Sequence, residues 1–184
     1  MRILGVDPGL TRCGLGIVDA AGARRVSLVH VSAATSPSTA DTPARIGRLA
    51  DAIERVLDEH RPDAIALERV FAQANVSTVM GTAQISGVVM LLAQRRGLPV
   101  TLYTPSEVKA AVTGEGRAGK AQVGYMVAKV LGLTEVPKPA DAADALAIAI
   151  AHAWRGAAAP VGTGGTTAAQ RLWAEAEQAA KRRR

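Results

Sequence analysis

Two acidic residues stand where short apolar runs stop. Ile3, Leu4 and Val6 form the first run, Asp7 closes it, and Pro8-Gly9 follows. Ala64 to Leu67 form another, closed by Glu68. Asp141 and Asp144 open the apolar stretch DAADALAIAIAHAW; being three apart, they share one face of the first turn of a helix. Carboxylates gathered in one place repel each other unless a cation sits among them. An all-oxygen set selects a hard cation, Mg²⁺ or Mn²⁺. Two such ions about 4 Å apart activate water and stabilise the leaving oxygen of a phosphodiester. The chemistry on offer is phosphodiester hydrolysis, with Asp7, Glu68, Asp141 and Asp144 as catalytic and metal-holding residues. Each also has a structural reading: Asp7-Pro8-Gly9 is turn chemistry, and Asp141 as N-cap with Asp144 near the positive helix end is ordinary capping.

For these side chains to meet, both strand ends must reach one edge of a sheet. Gly14 to Asp19 and Arg25 to Ser32 read as the second and third strands, joined to the first by short links in an antiparallel meander. A helix follows, with Thr42 as N-cap, Pro43 at the first helical position, and Ile46, Leu49, Ile53, Val56 and Leu57 at helical spacing before Pro62 ends it. The crossover makes the strand at Ala64 to Leu67 parallel to the first. If the two pair, Asp7 and Glu68 fall on the same edge, where open sheets carry their ligands.

Asn75 to Arg96 reads as a long helix, apolar nearly all round, with small residues Gly81, Ala83, Ser86 and Gly87. Such a helix is covered on two sides. The sheet supplies one cover and a second copy of the chain the other, so a homodimer is expected. Val100 to Tyr103 is a fifth strand, and Thr104 to Glu107 is a capping box opening a helix through Val112. A glycine-rich loop (113–119), a helix from Gln122 to Leu131, a loop with two prolines and a helix from Asp141 to Trp154 complete an α/β domain over residues 1–155. Residues 156–184 read as a Gly/Ala-rich linker and a short helical tail, from Gln170 to Arg184, ending KRRR.

Composition fits one domain with a polyanionic partner. The 184 residues suffice for one core, and 22 Lys+Arg against 16 Asp+Glu leave +6, which favours nucleic acid. A single cysteine, Cys13, excludes an intrachain disulfide and agrees with a reducing, cytoplasmic setting. The start carries no signal-peptide pattern, and no apolar run approaches the roughly 18 residues of a bilayer span.

Four stretches in order, ILGVDPGLTRCG, ALERVF, GEGRAGKAQV and DAADALAIAIAHAW, resemble the RuvC family of bacterial Holliday junction resolvases. The resemblance spans about residues 1–155. It implies a ribonuclease H-like fold with a five-stranded mixed sheet, the first three strands antiparallel and the last two parallel to the first. It implies a homodimer that cuts two opposed strands of a four-way DNA junction symmetrically, leaving a 5′-phosphate and a 3′-hydroxyl, and that works with the RuvA–RuvB branch-migration machine. Residue by residue, Asp7, Glu68, Asp141 and Asp144 match the family's acidic metal ligands, for two Mg²⁺ or Mn²⁺ ions per active site. Phe71 matches an aromatic set against bases at the junction centre, and Lys109 and Lys120 match basic residues facing DNA. Arg69, Arg117 and Arg12 are weaker phosphate-contact candidates, each reading equally as solvated surface.

Other signals are set aside. Gly114 to Lys120 fits most of a phosphate-binding loop, but Ala121 stands where Ser or Thr is required and a capped helix precedes it where a strand is needed. GVDPGLTRCG also resembles the phosphate hairpin of actin-like ATPases and sugar kinases, which need two such lobes. A basic DNA-binding module without catalysis leaves the acidic set unexplained. His30, His60 and His152 are isolated, and His152 reads as packing or surface.

Overall fold

The apolar runs pair into one five-stranded sheet in the order β3-β2-β1-β4-β5. The computed structural model describes residues 1–22, 24–69 and 76–157. Strands β1 (Arg2–Asp7), β2 (Arg12–Ala20) and β3 (Val26–Thr35) form the antiparallel meander, with Asp7 opposite Gly14 and Ile3 opposite Val18. Helix α1 (Thr42–His60) crosses over to β4 (Ala64–Glu68), which lies parallel beside β1. Helix α2 (Val76–Arg95) leads to β5 (Val100–Tyr103), parallel to β4. Helices α3 (Pro105–Thr113), α4 (Lys120–Leu131) and α5 (Ala140–Ala157) follow.

The period of two along a strand divides the core. Leu4 and Val6 of β1, Leu15 and Ile17 of β2 and Ile65 and Leu67 of β4 pack with Leu49, Ile53, Ile85 and Val89 of α1 and α2. Ile3, Val18 and Ala66 face the other way, onto Leu146, Ile148 and Ile150 of α5 and Val108 and Val123 of α3 and α4. Because β1 and β4 are covered on both faces, they read as unbroken apolar runs.

Helix α5 comes unusually close to the sheet. A Cβ on Gly5 would stand 2.1 Å from the Ala145 carbonyl oxygen, one on Gly14 2.0 Å from that of Asp141, and one on Gly16 2.8 Å from the Leu146 amide nitrogen. No side chain fits there, so the helix lies on bare strand backbone.

Several element ends differ from expectation. Asp41, not Thr42, caps α1: its backbone is extended and its carboxylate accepts the Ala44 N–H at 2.9 Å, while Thr42 enters the helix. The extended Gly119 lets α4 begin at Lys120 rather than Gln122. Helix α5 begins at Ala140, which puts Asp141 inside the first turn rather than at the cap. Strand β2 extends beyond Gly14–Asp19 at both ends, and β3 begins at Val26 rather than Arg25 but runs past Ser32, because Arg12 to Cys13, Ala20 and Ala33 to Thr35 continue the ladder. The Thr104–Glu107 capping box forms as expected. The helix expected over Gln170 to Arg184 lies outside the described residues.

The close approach of α5 predicts that Gly5→Ala lowers stability by about 1–3 kcal/mol through overpacking. Gly47, in α1 with nothing near its missing Cβ, predicts the opposite: Gly47→Ala should add about 0.5–1 kcal/mol. Thermal melts of the two variants check the pair.

Candidate active site

The strand register decides where the acids go. Asp7 ends β1 and Glu68 ends the adjacent parallel β4. Both fall on the side that α5 covers, two and four residues beyond Gly5 and Ala64, so the alternation points them toward its first turns. Asp7, Glu68 and Asp144 line one cleft of about 290 Å³, with Lys109 of α3 and Lys120 of α4 among its walls. Val108, Val123 and Ala147 form apolar lining. Asp141, three residues before Asp144, faces a neighbouring groove, where its Oδ2 accepts Arg12 Nη1 at 3.1 Å. Lys120 Nζ donates to Asp144 Oδ2 at 3.3 Å.

The cleft is rich in negative charge. Half-buried Asp7 has its carboxyl pushed up to about 7, by burial first and then by Glu68, Asp144 and Asp141. Glu68 is raised by burial and by Asp144. The Lys120 ammonium is held in its charged form, chiefly by Asp144. Among the described residues no three acids or imidazoles stand within one metal shell as they are. Lys120 and Arg12 instead take one carboxylate each. The donor set is nonetheless all oxygen, and the like charge that crowds Asp7 is what a divalent ion would compensate, so these residues fit a hard cation.

The other expected site residues are placed as follows. Lys109 is half-buried on the cleft wall, on a helix whose capping Glu107 also accepts Arg155 Nη1 at 2.9 Å. The Thr104 backbone N–H and Arg155 hold the Glu107 carboxyl down at about 2. Arg12 is exposed and holds Asp141. Arg69 and Arg117 are exposed and do not line the acidic cleft. Phe71 lies outside the described residues. His152 packs inside, its Nδ1 3.0 Å from the Tyr103 hydroxyl. Buried Cys13 has its thiol pushed up to about 12 by burial. What sequence reasoning missed is the glycine set at positions 5, 14 and 16, without which Asp141 and Asp144 would stand farther from Asp7. Glycines inside strand-like runs were the available signal.

Comparison with known proteins identifies the family and the fold. Residues 3–152 match the model of a family described as crossover junction endodeoxyribonuclease RuvC. A protein of that name from Frankia alni is 63% identical over 158 residues, covering 86% of this chain and 80% of the relative. The structure of Thermus thermophilus RuvC in complex with Holliday junction substrate is 37% identical, with a TM-score of 0.81 over 86% of this chain and 96% of that one. The yeast mitochondrial Holliday junction resolvase, 17% identical with a TM-score of 0.60, covers 84% of this chain and 79% of its own, and shares the fold.

The crowding of charge has a consequence for stability. Asp7 ordinarily titrates near 3.8 but near 7 in the fold, so the folded protein keeps a proton that the unfolded chain releases between those values. Stability therefore falls as pH rises through that window and stays lower above it. In chelator at pH 8, Asp7→Asn should be more stable than the parent by on the order of 3 kcal/mol, the difference closing toward pH 4. Melts across that range check it; an Asp7→Asn protein less stable at pH 8 would contradict the charge assignment.

Proposed function

This chain belongs to the RuvC family of crossover junction endodeoxyribonucleases, and we propose that it resolves four-way DNA junctions by hydrolysis at the Asp7–Glu68–Asp141–Asp144 cluster. The observation that carries this reading is the single cleft that joins Asp7, Glu68 and Asp144 to Lys109 and Lys120, with Asp141 one turn away. The four acids would hold two divalent ions, Mg²⁺ or Mn²⁺, which when bound would supply a more acidic attacking water and charge neutralisation at the leaving oxygen.

The chain's own residues do the rest. Lys109 and Lys120 bind the non-bridging oxygens of the scissile phosphate, Lys120 leaving Asp144 to do so. The rigid ends of β1, β4 and α5 keep the carboxylates at fixed separation, so little reorganisation is needed as charge develops. Water attacks phosphorus in line with the 3′ oxygen. The P–O3′ bond breaks, the 3′ oxygen takes up a proton, and a 5′-phosphate remains. Phe71 stacks against bases near the junction centre, and Arg69 and Arg117 contact phosphates as the strands pass.

Two copies cut the opposed strands. Met80, Ala83, Gly87, Met90 and Leu91 of α2 are exposed at helical spacing, with Met80 at 55% and Leu91 at 51% exposure. Large apolar side chains flanking small ones make a face for a second helix of the same kind. The enzyme acts in the cytoplasm, downstream of RuvA–RuvB. Among the described residues no helix is long and apolar enough to cross a membrane. Residues 1–155 carry the nuclease.

Cleavage of an end-labelled synthetic junction beside a matching linear duplex tests the reading. Asp7→Asn should cut at least a thousandfold more slowly, in line with the loss of a group acting in the transition state, yet bind the junction as well as the parent. Asp7→Asn cutting at the parent rate would remove Asp7 from the site. In sedimentation at micromolar concentration the protein should run as a dimer and Leu91→Glu as a monomer; a monomeric parent would overturn the α2 interface.

A further inference from the structure

Beside the acidic cleft lies a second groove of about 530 Å³. Thr11 of the β1–β2 turn, Arg12 at the start of β2, Arg45 of α1 and Thr78 and Thr82 of α2 line it, with Asp141 shared between groove and acidic cluster. Its walls are pinned. Gly81 of α2 packs so closely under Leu10 that a Cβ there would stand 2.9 Å from Leu10 Cβ. The Ser36 N–H donates to the Thr11 carbonyl at 3.1 Å, and the buried Ser36 hydroxyl donates to the Leu10 carbonyl.

Arg45 is held differently from Arg12, the other arginine of the groove. Its Nε donates to Ser36 Oγ at 3.0 Å and its Nη2 to Thr11 Oγ1 at 2.8 Å. Both partners are neutral, and no carboxylate among the described residues pairs with Arg45. Arg2, Arg12, Arg96 and Arg155 are each matched to an acid, whereas Arg45 is held by two hydroxyls. A guanidinium oriented by neutral hydroxyls has no carboxylate to give up before it meets a phosphate and has already spent rotamer freedom, which is what a preorganised receptor for a phosphate needs. Arg12 lines the same groove, paired with Asp141. Cations bound at the carboxylates would release that guanidinium toward the groove.

We propose that this groove is a second phosphate subsite, holding a DNA backbone phosphate that neighbours the one being cut. Arg45 is its fixed receptor, and Arg12 joins once Asp141 is engaged by a cation. The inference rests on the proposed junction cleavage, since the same strand must cross both the cleft and the groove. The two sites then grip one strand on either side of Asp141, which sets its register over the carboxylates.

The test measures junction affinity against salt for the full chain, its Arg45→Gln and Lys120→Ala variants, on junctions carrying one neutral methylphosphonate at each position around the cut. Arg45→Gln should melt with the parent, bind about tenfold more weakly at low salt, and lose about 0.9 from the log–log salt slope. At one neighbouring phosphate, neutralisation should cost the parent about that same tenfold and Arg45→Gln nothing. If Arg45→Gln melts lower, the exposed Arg12→Gln reads the same phosphate in the presence of Ca²⁺. A parent that cuts, with Lys120→Ala flattening the slope and no phosphate position separating Arg45→Gln or Arg12→Gln from the parent, overturns the groove and leaves the function standing. A parent that neither binds nor cuts junctions overturns both.

Discussion

The structure depends on the backbone contact between α5 and the glycines of β1 and β2. A helix usually sits on a sheet through a layer of side chains. Here Gly5, Gly14 and Gly16 remove that layer, and helix backbone meets strand backbone. The first turns of α5 therefore descend to the level of the strand ends. Asp144 joins Asp7 and Glu68 in one cleft, and Asp141 comes within electrostatic reach of Asp7. The cost is borne in folding: burial and the carboxylates of Glu68, Asp144 and Asp141 leave Asp7 with its carboxyl near 7. Functional sites commonly hold such local instability, which the rest of the fold offsets.

Lys120 and Arg12 show how the chain tolerates this arrangement by itself. Each lends a cation to one carboxylate at a distance that forms an ion pair without burying it, since both cations keep much of their surface in solvent. Pairs of that exposure are weak and exchangeable. The same cations are then free to turn to phosphate when the acids acquire other partners. In the proposed mechanism, neutralisation of the acids and recognition of DNA draw on the same side chains, which would couple metal loading to substrate grip.

Much of this was legible in the sequence, for a physical reason. A charged residue directly after a buried run, as at Asp7 and Glu68, announces a strand end, and the crossover through α1 forces those two ends onto one edge. Asp141 and Asp144 follow from helical spacing. The details that were not legible involve choices between near-equal neighbours or contacts distant in sequence. Asp41 and Thr42 both make good caps, and only the extended backbone at Asp41 decides. Gly119 carries no side-chain signal that α4 begins beside it. Single glycines at positions 5, 14 and 16 look like weak points of strands until α5 is placed above them. Arg45 sits on the polar side of α1, and its hold on Thr11 and Ser36 is a contact between separate elements.

The central claim is that the docking of α5 turns four separate acids into one cation site. Anomalous scattering from crystals soaked in Mn²⁺ measures this directly. The account predicts manganese peaks bounded by Asp7, Glu68, Asp141 and Asp144, with Lys120 and Arg12 withdrawn from their carboxylates. A map with no peak among the four acids, and both ion pairs intact at saturating Mn²⁺, would contradict it.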